Sequence, residues 1–156
     1  MADSPGDRGV VVSVNISPAK GTRKRPVGSR IFLEETGLEG DAHAGFGLRQ
    51  VSLLAVESIA KMKALGLDVG PGDFAENVTT SGLDLVSLPI GSRLRLGETL
   101  LEVSQIGKVC HSRCAIFEQA GDCVMPREGI FARVLVGGKV RAGDPVAIER
   151  RGPEHA

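Results

Sequence analysis

Gly91-Ser92-Arg93-Leu94-Arg95-Leu96-Gly97-Glu98-Thr99-Leu100-Leu101-Glu102-Val103-Ser104-Gln105-Ile106 reads as two strands joined by a turn. Arg93 to Leu96 alternates polar and apolar with period two, which puts Leu94 and Leu96 on one face of a strand. Gly97-Glu98 is short enough to reverse the chain, and Thr99 to Ile106 supplies the returning strand. A hairpin of this kind buries one face, so it needs further strands to cover it.

Those strands lie on both sides of it. Val10-Val11-Val12-Ser13-Val14-Asn15-Ile16 is β-branched and predicts a strand with a largely buried face. Gly28 to Glu34 and Gln50 to Leu54 predict two more, and Lys139 to Ile148 reads as strand, turn and strand around Gly143-Asp144-Pro145. Val56 to Leu65 is the best helix, with Val56, Ile59, Ala60, Met62 and Leu65 at three-to-four spacing and Gly66 to stop it. Gly129 to Val136 also predicts a helix, with Phe131, Val134 and Leu135 on one face and Gly137-Gly138 at its end. Strands outnumber helices and no regular βαβ alternation is seen. The expected fold is therefore mainly β, a compact barrel with a few packed helices, because closure removes exposed strand edges. No strand leads into a glycine-rich phosphate loop and helix, which argues against dinucleotide and P-loop readings.

The chain has 156 residues, 42% apolar and 24% charged, and suits one domain with a real core. The expected domain runs from 9 to 149, with polar tails at 1–8 and 150–156. Nineteen basic residues balance nineteen acidic ones, so no overall field draws nucleic acid or anionic lipid. Five Phe with no Trp or Tyr make a poor base-stacking platform. No apolar run is long enough to cross a bilayer as a helix, and Met1 to Pro5 does not open a signal peptide. Three cysteines, an odd number without an export signal, suggest the reducing cytoplasm.

All three cysteines fall in one stretch after the hairpin, Lys108-Val109-Cys110-His111-Ser112-Arg113-Cys114, followed by Cys123. A thiol is at once a soft metal ligand, a nucleophile and a sulfur carrier. Cys110, between Lys108 and Arg113 and beside His111, is placed to ionise, because nearby positive charge favours the thiolate. The competing reading is a small buried hydrophobe. Cys114 either resolves a modified Cys110 or packs beneath a short helix capped by Ser112, with Ile116 and Phe117. Zinc held by Cys110, His111, Cys114 and Cys123 is disfavoured by the adjacency of Cys110 and His111 and the lack of a two-residue knuckle.

Other polar candidates lie upstream. Lys20, Arg23, Lys24 and Arg25 form a basic, proline-punctuated loop, either an anion site or a solvated turn. Asp41 and His43 sit in a glycine-rich loop, where Asp41 either approaches a ligand or builds the turn and His43 titrates near neutral pH. Glu76 and Asn77 suit recognition of a polar ligand edge, or a cap or turn.

Five segments stand in a telling order: Lys24-Arg25-Pro26-Val27, Gly37-Leu38-Glu39-Gly40-Asp41-Ala42-His43-Ala44-Gly45, Arg49-Gln50-Val51-Ser52-Leu53, Gly72 to Gly82, and the cysteine stretch after Val103-Ser104-Gln105. The set resembles the MOSC domain, found at the C-terminus of molybdenum cofactor sulfurases and in stand-alone bacterial proteins near molybdenum cofactor assembly genes. The resemblance runs from Gly9 to Ile148. It implies a strand-rich barrel that binds molybdenum cofactor (molybdopterin) or a precursor and carries or transfers sulfur. The family's signature cysteine falls on Cys110, as sulfur carrier or molybdenum ligand. Lys24, Arg25, Asp41, His43, Glu76, Asn77 and Arg113 are then the cofactor-binding candidates. Val109 stands where many members have proline, and Ala44 where many have glycine. The chain has no candidate pyridoxal-phosphate fold, so mobilised sulfur would come from a separate cysteine desulfurase, and a molybdoenzyme is the other expected partner. Alternatives are a molybdenum-dependent reductase of N-hydroxylated compounds and a non-enzymatic thiol-redox or zinc-binding module.

Overall fold

A computed structural model describes residues 8–17, 24–33, 36–41, 50–74, 76–106, 129–150 and 152. Its strands are β1 (Arg8–Ile16), β2 (Arg25–Pro26), β3 (Ser29–Leu33), β4 (Gly37–Leu38), β5 (Val51–Ala55), β6 (Val78–Ser81), β7 (Arg93–Leu96), β8 (Thr99–Ile106), β9 (Ile130–Val136), β10 (Gly138–Arg141) and β11 (Pro145–Arg150). The helix among the described residues is α1 (Val56–Ala64). Seven strands pair in the order β11-β7-β8-β9-β5-β6-β1, and β1 returns to β11, so the sheet closes into a barrel. A smaller sheet, β10-β3-β4, lies alongside it.

The hairpin forms as expected: Leu96 faces Thr99 across the two-residue turn, and Gly97 takes the left-handed conformation at φ 56°. Leu94, Leu96, Leu101 and Val103 enter the main core with Val11, Val14, Val51, Leu53, Val78 and Val146. Strand β1 holds two core valines three residues apart because its register against β6 shifts between Val11 and Ser13. A bulge of this kind re-aims side chains along a strand. Val11 and Val14 thus both enter the core, and Ser13 and Asn15 become available for a hydrogen-bonded cluster.

A second cluster lies between the barrel and α1: Leu54, Ile59, Met62, Val69, Phe74 and Phe131. Helix α1 buries Ser58, Ile59 and Met62, and Glu57 in its first turn and Lys61 and Lys63 in its last complement the helix dipole. It links β5 to β6, which pair in parallel, so one crossover unit is built into an otherwise mostly antiparallel barrel.

The expected helix at 129–136 is a strand. Ile130, Ala132 and Val134 face the main core, while Phe131 faces the cluster under α1. Apolar residues on both faces erase the period-two signal, and their chance three-to-four spacing then mimics a helix. The described strands begin at Arg8 and end at Arg150, and Gly152 is buried with its N–H donating to Ser92 Oγ at 2.8 Å.

Leu101 is fully buried on β8, where it faces Leu94 in the hairpin and Val134 across β9. Leu101→Ala should lower unfolding free energy by about 2–5 kcal/mol in a denaturant titration, the range for a fully enclosed leucine.

Candidate functional site

The site is clearest from Asp41 outward. Its Oδ1 accepts from Lys24 Nζ at 2.7 Å and from the Ser17 backbone N–H at 3.1 Å, and both Lys24 and Asp41 side chains are fully enclosed. Lys24 Nζ also reaches Ser17 Oγ at 3.3 Å. Burial pushes the Asp41 carboxyl up, but hydrogen bonds from Lys24, Asn77 and Ser17 and the lysine charge outweigh it and hold the group below its ordinary value. Lys24 is therefore an interior partner of Asp41 and no part of a solvated basic turn. Its neighbour Arg25, on β2 opposite Ile16, is exposed.

Glu76 and Asn77 continue the same network. Glu76 Oε2 accepts from the Gly72 N–H at 3.0 Å and the Thr79 hydroxyl at 2.7 Å, and Oε1 from the Phe74 N–H at 3.2 Å. Burial raises the Glu76 carboxyl above its ordinary value, and these donors only partly offset that effect. Asn77 Oδ1 accepts from the Ser52 N–H at 2.9 Å and the Ser52 hydroxyl at 3.2 Å. Its amide nitrogen donates to the Asn15 carbonyl at 3.3 Å. Asn15 in turn donates to the Glu76 carbonyl and to Thr79 Oγ1, each at 3.1 Å, and accepts from the Ser13 hydroxyl at 2.6 Å.

Backbone contacts complete the frame. The Lys24 N–H donates to the Gly72 carbonyl at 2.8 Å. Gly72 has φ 89°, and a Cβ there would lie 2.2 Å from the Lys24 carbonyl oxygen, so only glycine lets the two segments approach this closely.

Four sequence candidates, Lys24, Asp41, Glu76 and Asn77, thus belong to one buried network drawn from five segments of the chain, at 13–17, 24, 41, 52 and 72–79. Ser13, Asn15, Ser17, Ser52 and Thr79 complete it and were not expected from the sequence. The signal for Asn15 was available: a polar amide among β-branched residues in a buried strand needs a partner. Cys110, Arg113 and His43 lie outside the described residues, as do Lys20, Arg23, His111, Cys114 and Cys123. Ser52 and Gln105 flank Phe131 from opposite sides in the barrel, two strand spacings apart, or about 10 Å. The cysteine segment follows directly on Ile106. Among the described residues no cluster of His, Cys, Asp or Glu could hold a metal ion, and no helix is long and apolar enough to cross a membrane.

The fold and this network define a small closed β-barrel with separate chain segments tied together by buried polar groups. The YuaD protein from Bacillus subtilis has such a fold, with a TM-score of 0.76 at 20% identity over 89% of this chain and 94% of that one. YiiM from Geobacillus stearothermophilus gives 0.70 at 22% identity, over 92% of this chain and 76% of its own. YiiM from Escherichia coli gives 0.63 at 23%, over 97% and 73%. At these identities the likeness is one of fold. No curated protein matches the sequence. The MOSC domain model matches residues 40–147, well over half of the chain, and the chain belongs to the MOSC domain family. MOSC domains are associated in general with molybdenum cofactor.

Asp41→Asn should destabilise the protein by about 3–5 kcal/mol at neutral pH, because it strands the Lys24 ammonium in a dry site. Because the Asp41 carboxyl is depressed, its contribution is complete above the ordinary value of 3.8 and is lost as pH falls through the lower folded value. Denaturant titrations of wild type and variant should therefore converge only in strong acid. A gap unchanged down to that range would show that Asp41 does not carry the charge ascribed to it.

Proposed function

We propose that this protein binds molybdenum cofactor, or a precursor of it, and holds or transfers sulfur through Cys110. The observation that carries the reading is the convergence of family motif residues from four segments into one buried frame, in a chain of the MOSC family. Such a frame costs several kcal/mol to desolvate, and apolar residues would stabilise the same volume as well or better. A frame of this kind is better explained by the surfaces it holds in place than by stability.

The described residues fit an anionic, phosphate-bearing group at Arg25 rather than at Lys24. Lys24 is enclosed and committed to Asp41, whereas Arg25 is exposed next to it. A guanidinium gives paired donors that match phosphate oxygens. In this reading Arg25, with His43 and Arg113, meets the cofactor, and Lys24, Asp41, Glu76 and Asn77 hold the backbone around it. Cys110 is five residues beyond Gln105, and five extended residues span up to about 17 Å, enough to reach the network across the two strand spacings.

When bound, the cofactor supplies a molybdenum centre that accepts sulfur ligands, and the Cys110 thiolate is a donor of matching softness. For sulfur transfer, the Cys110 thiolate attacks the terminal sulfur of a persulfide carried by a separate cysteine desulfurase. A new S–S bond forms on Cys110, the donor S–S bond breaks, and the donor leaves as a thiolate, with no net oxidation. Lys108, His111 and Arg113 favour the attacking anion.

Protein purified from a host that makes the cofactor should contain molybdenum and a fluorescent oxidised pterin. Cys110→Ser should abolish persulfide labelling and reduce molybdenum content, while Cys114→Ser and Cys123→Ser keep both. Protein with neither metal nor pterin, and with equal slow alkylation of all three thiols, would rule the proposal out.

A further inference from the structure

We infer that the Lys24–Asp41 pair is a positioning device, which fixes the placement of Arg25 relative to Ser17 and Asp41. The inference rests on the reading above, but its geometric part stands by itself. One carboxylate oxygen, Asp41 Oδ1, gathers three chain positions: Asp41 itself, the Ser17 N–H and the Lys24 ammonium. Ser17 is the residue before segment 18–23 and Lys24 the residue after it, so the two roots of that segment are tied to one atom. Asp41 is in turn the residue before segment 42–49, which carries His43. A single buried contact therefore sets Ser17, Lys24 and Asp41 relative to one another.

Lys24 is held from a second side. Its N–H donates to the Gly72 carbonyl, and Gly72 donates to Glu76. The lysine is thus fixed through both its backbone and its side chain, and its immediate neighbour Arg25 inherits that placement with its own side chain exposed. Neither Lys24 nor Asp41 is accessible to a ligand, since both side chains are fully enclosed. What an ion pair adds over an apolar contact is direction, because charge-assisted hydrogen bonds define donor and acceptor positions that packing leaves loose. Positioning of Arg25 for a ligand is a use for direction at that place.

The test replaces the pair by apolar residues, Lys24→Met with Asp41→Leu, and compares it with wild type by hydrogen exchange, thermal unfolding and pterin and molybdenum content. Removing both partners leaves no stranded charge, so the thermal midpoint should stay close to that of wild type. Amide exchange in peptides covering 18–23 and 42–49 should accelerate about ten-fold while β5, β8 and β9 stay protected, the pattern of local and not global opening. Pterin and molybdenum content should fall severalfold. Unchanged exchange in both segments, or cofactor content equal to wild type, would overturn the inference. Should the double variant fail to fold, Asp41→Glu decides. It keeps the charge but displaces the carboxylate by one methylene, so content should fall with the midpoint retained, and wild-type content would overturn the inference. Wild-type protein empty of cofactor would instead defeat the proposed function, while the exchange comparison would still decide the clamp.

Discussion

Closure of the barrel through β1 is the constraint on which the remaining structure depends. This strand serves three partners in succession: Arg8 to Val10 pair with β11, Val10 to Val14 with β6, and Asn15 and Ile16 with β2. An edge left open there would expose a row of unpaired backbone groups. The shift at Val12 lets one strand meet both needs, with Val11 and Val14 in the apolar core and Ser13 and Asn15 in the polar network. The end of β1 leads straight into Ser17, whose N–H is held by Asp41. Core, closure and site frame are consequences of one strand's register.

The polar network shows how burial changes the meaning of a charged residue. In water a lysine–aspartate pair contributes up to about 1 kcal/mol, and it is an accessory of the surface. Enclosed at 2.7 Å with the Ser17 N–H as third member, the Lys24–Asp41 pair is instead one whose partners cannot be removed singly without a large loss. Glu76 takes a different course. It accepts from three neutral donors, the Gly72 and Phe74 N–H groups and the Thr79 hydroxyl, and its carboxyl is raised while that of Asp41 is lowered. The two carboxyls thus pull stability in opposite directions with pH, Asp41 losing its contribution in acid and Glu76 losing its own as pH climbs past its ordinary value.

Much of the barrel was legible because its strands obey simple patterns. Strand β7 alternates cleanly and turns at Gly97 into β8, β1 is β-branched, and α1 carries its apolar residues at helical spacing. Strand β9 was not legible, since both of its faces are apolar and the cause, a second cluster under α1, lies in tertiary structure. The parallel pairing of β5 with β6 is similarly hidden, because β6 is four residues long with polar threonines. At the site, the residue types and motif order were readable while burial was not. Lys24 and Arg25 are adjacent and chemically alike in sequence, yet one is enclosed and the other exposed. That difference depends on Asp41 and Gly72, which are remote along the chain. Asn15 and Ser52 likewise take their roles from partners around Asn77, remote along the chain.

The separation of roles between those two neighbouring cations is the central claim: Lys24 holds the frame, and Arg25 meets the ligand. A crystal structure of the protein loaded with cofactor would test it most directly. The account predicts Lys24 still paired with Asp41 near its present 2.7 Å, with the cofactor's anionic group on the Arg25 guanidinium and the Cys110 sulfur at the molybdenum. A Lys24 ammonium released from Asp41 and bound to that anionic group, with Arg25 turned to solvent, would contradict it.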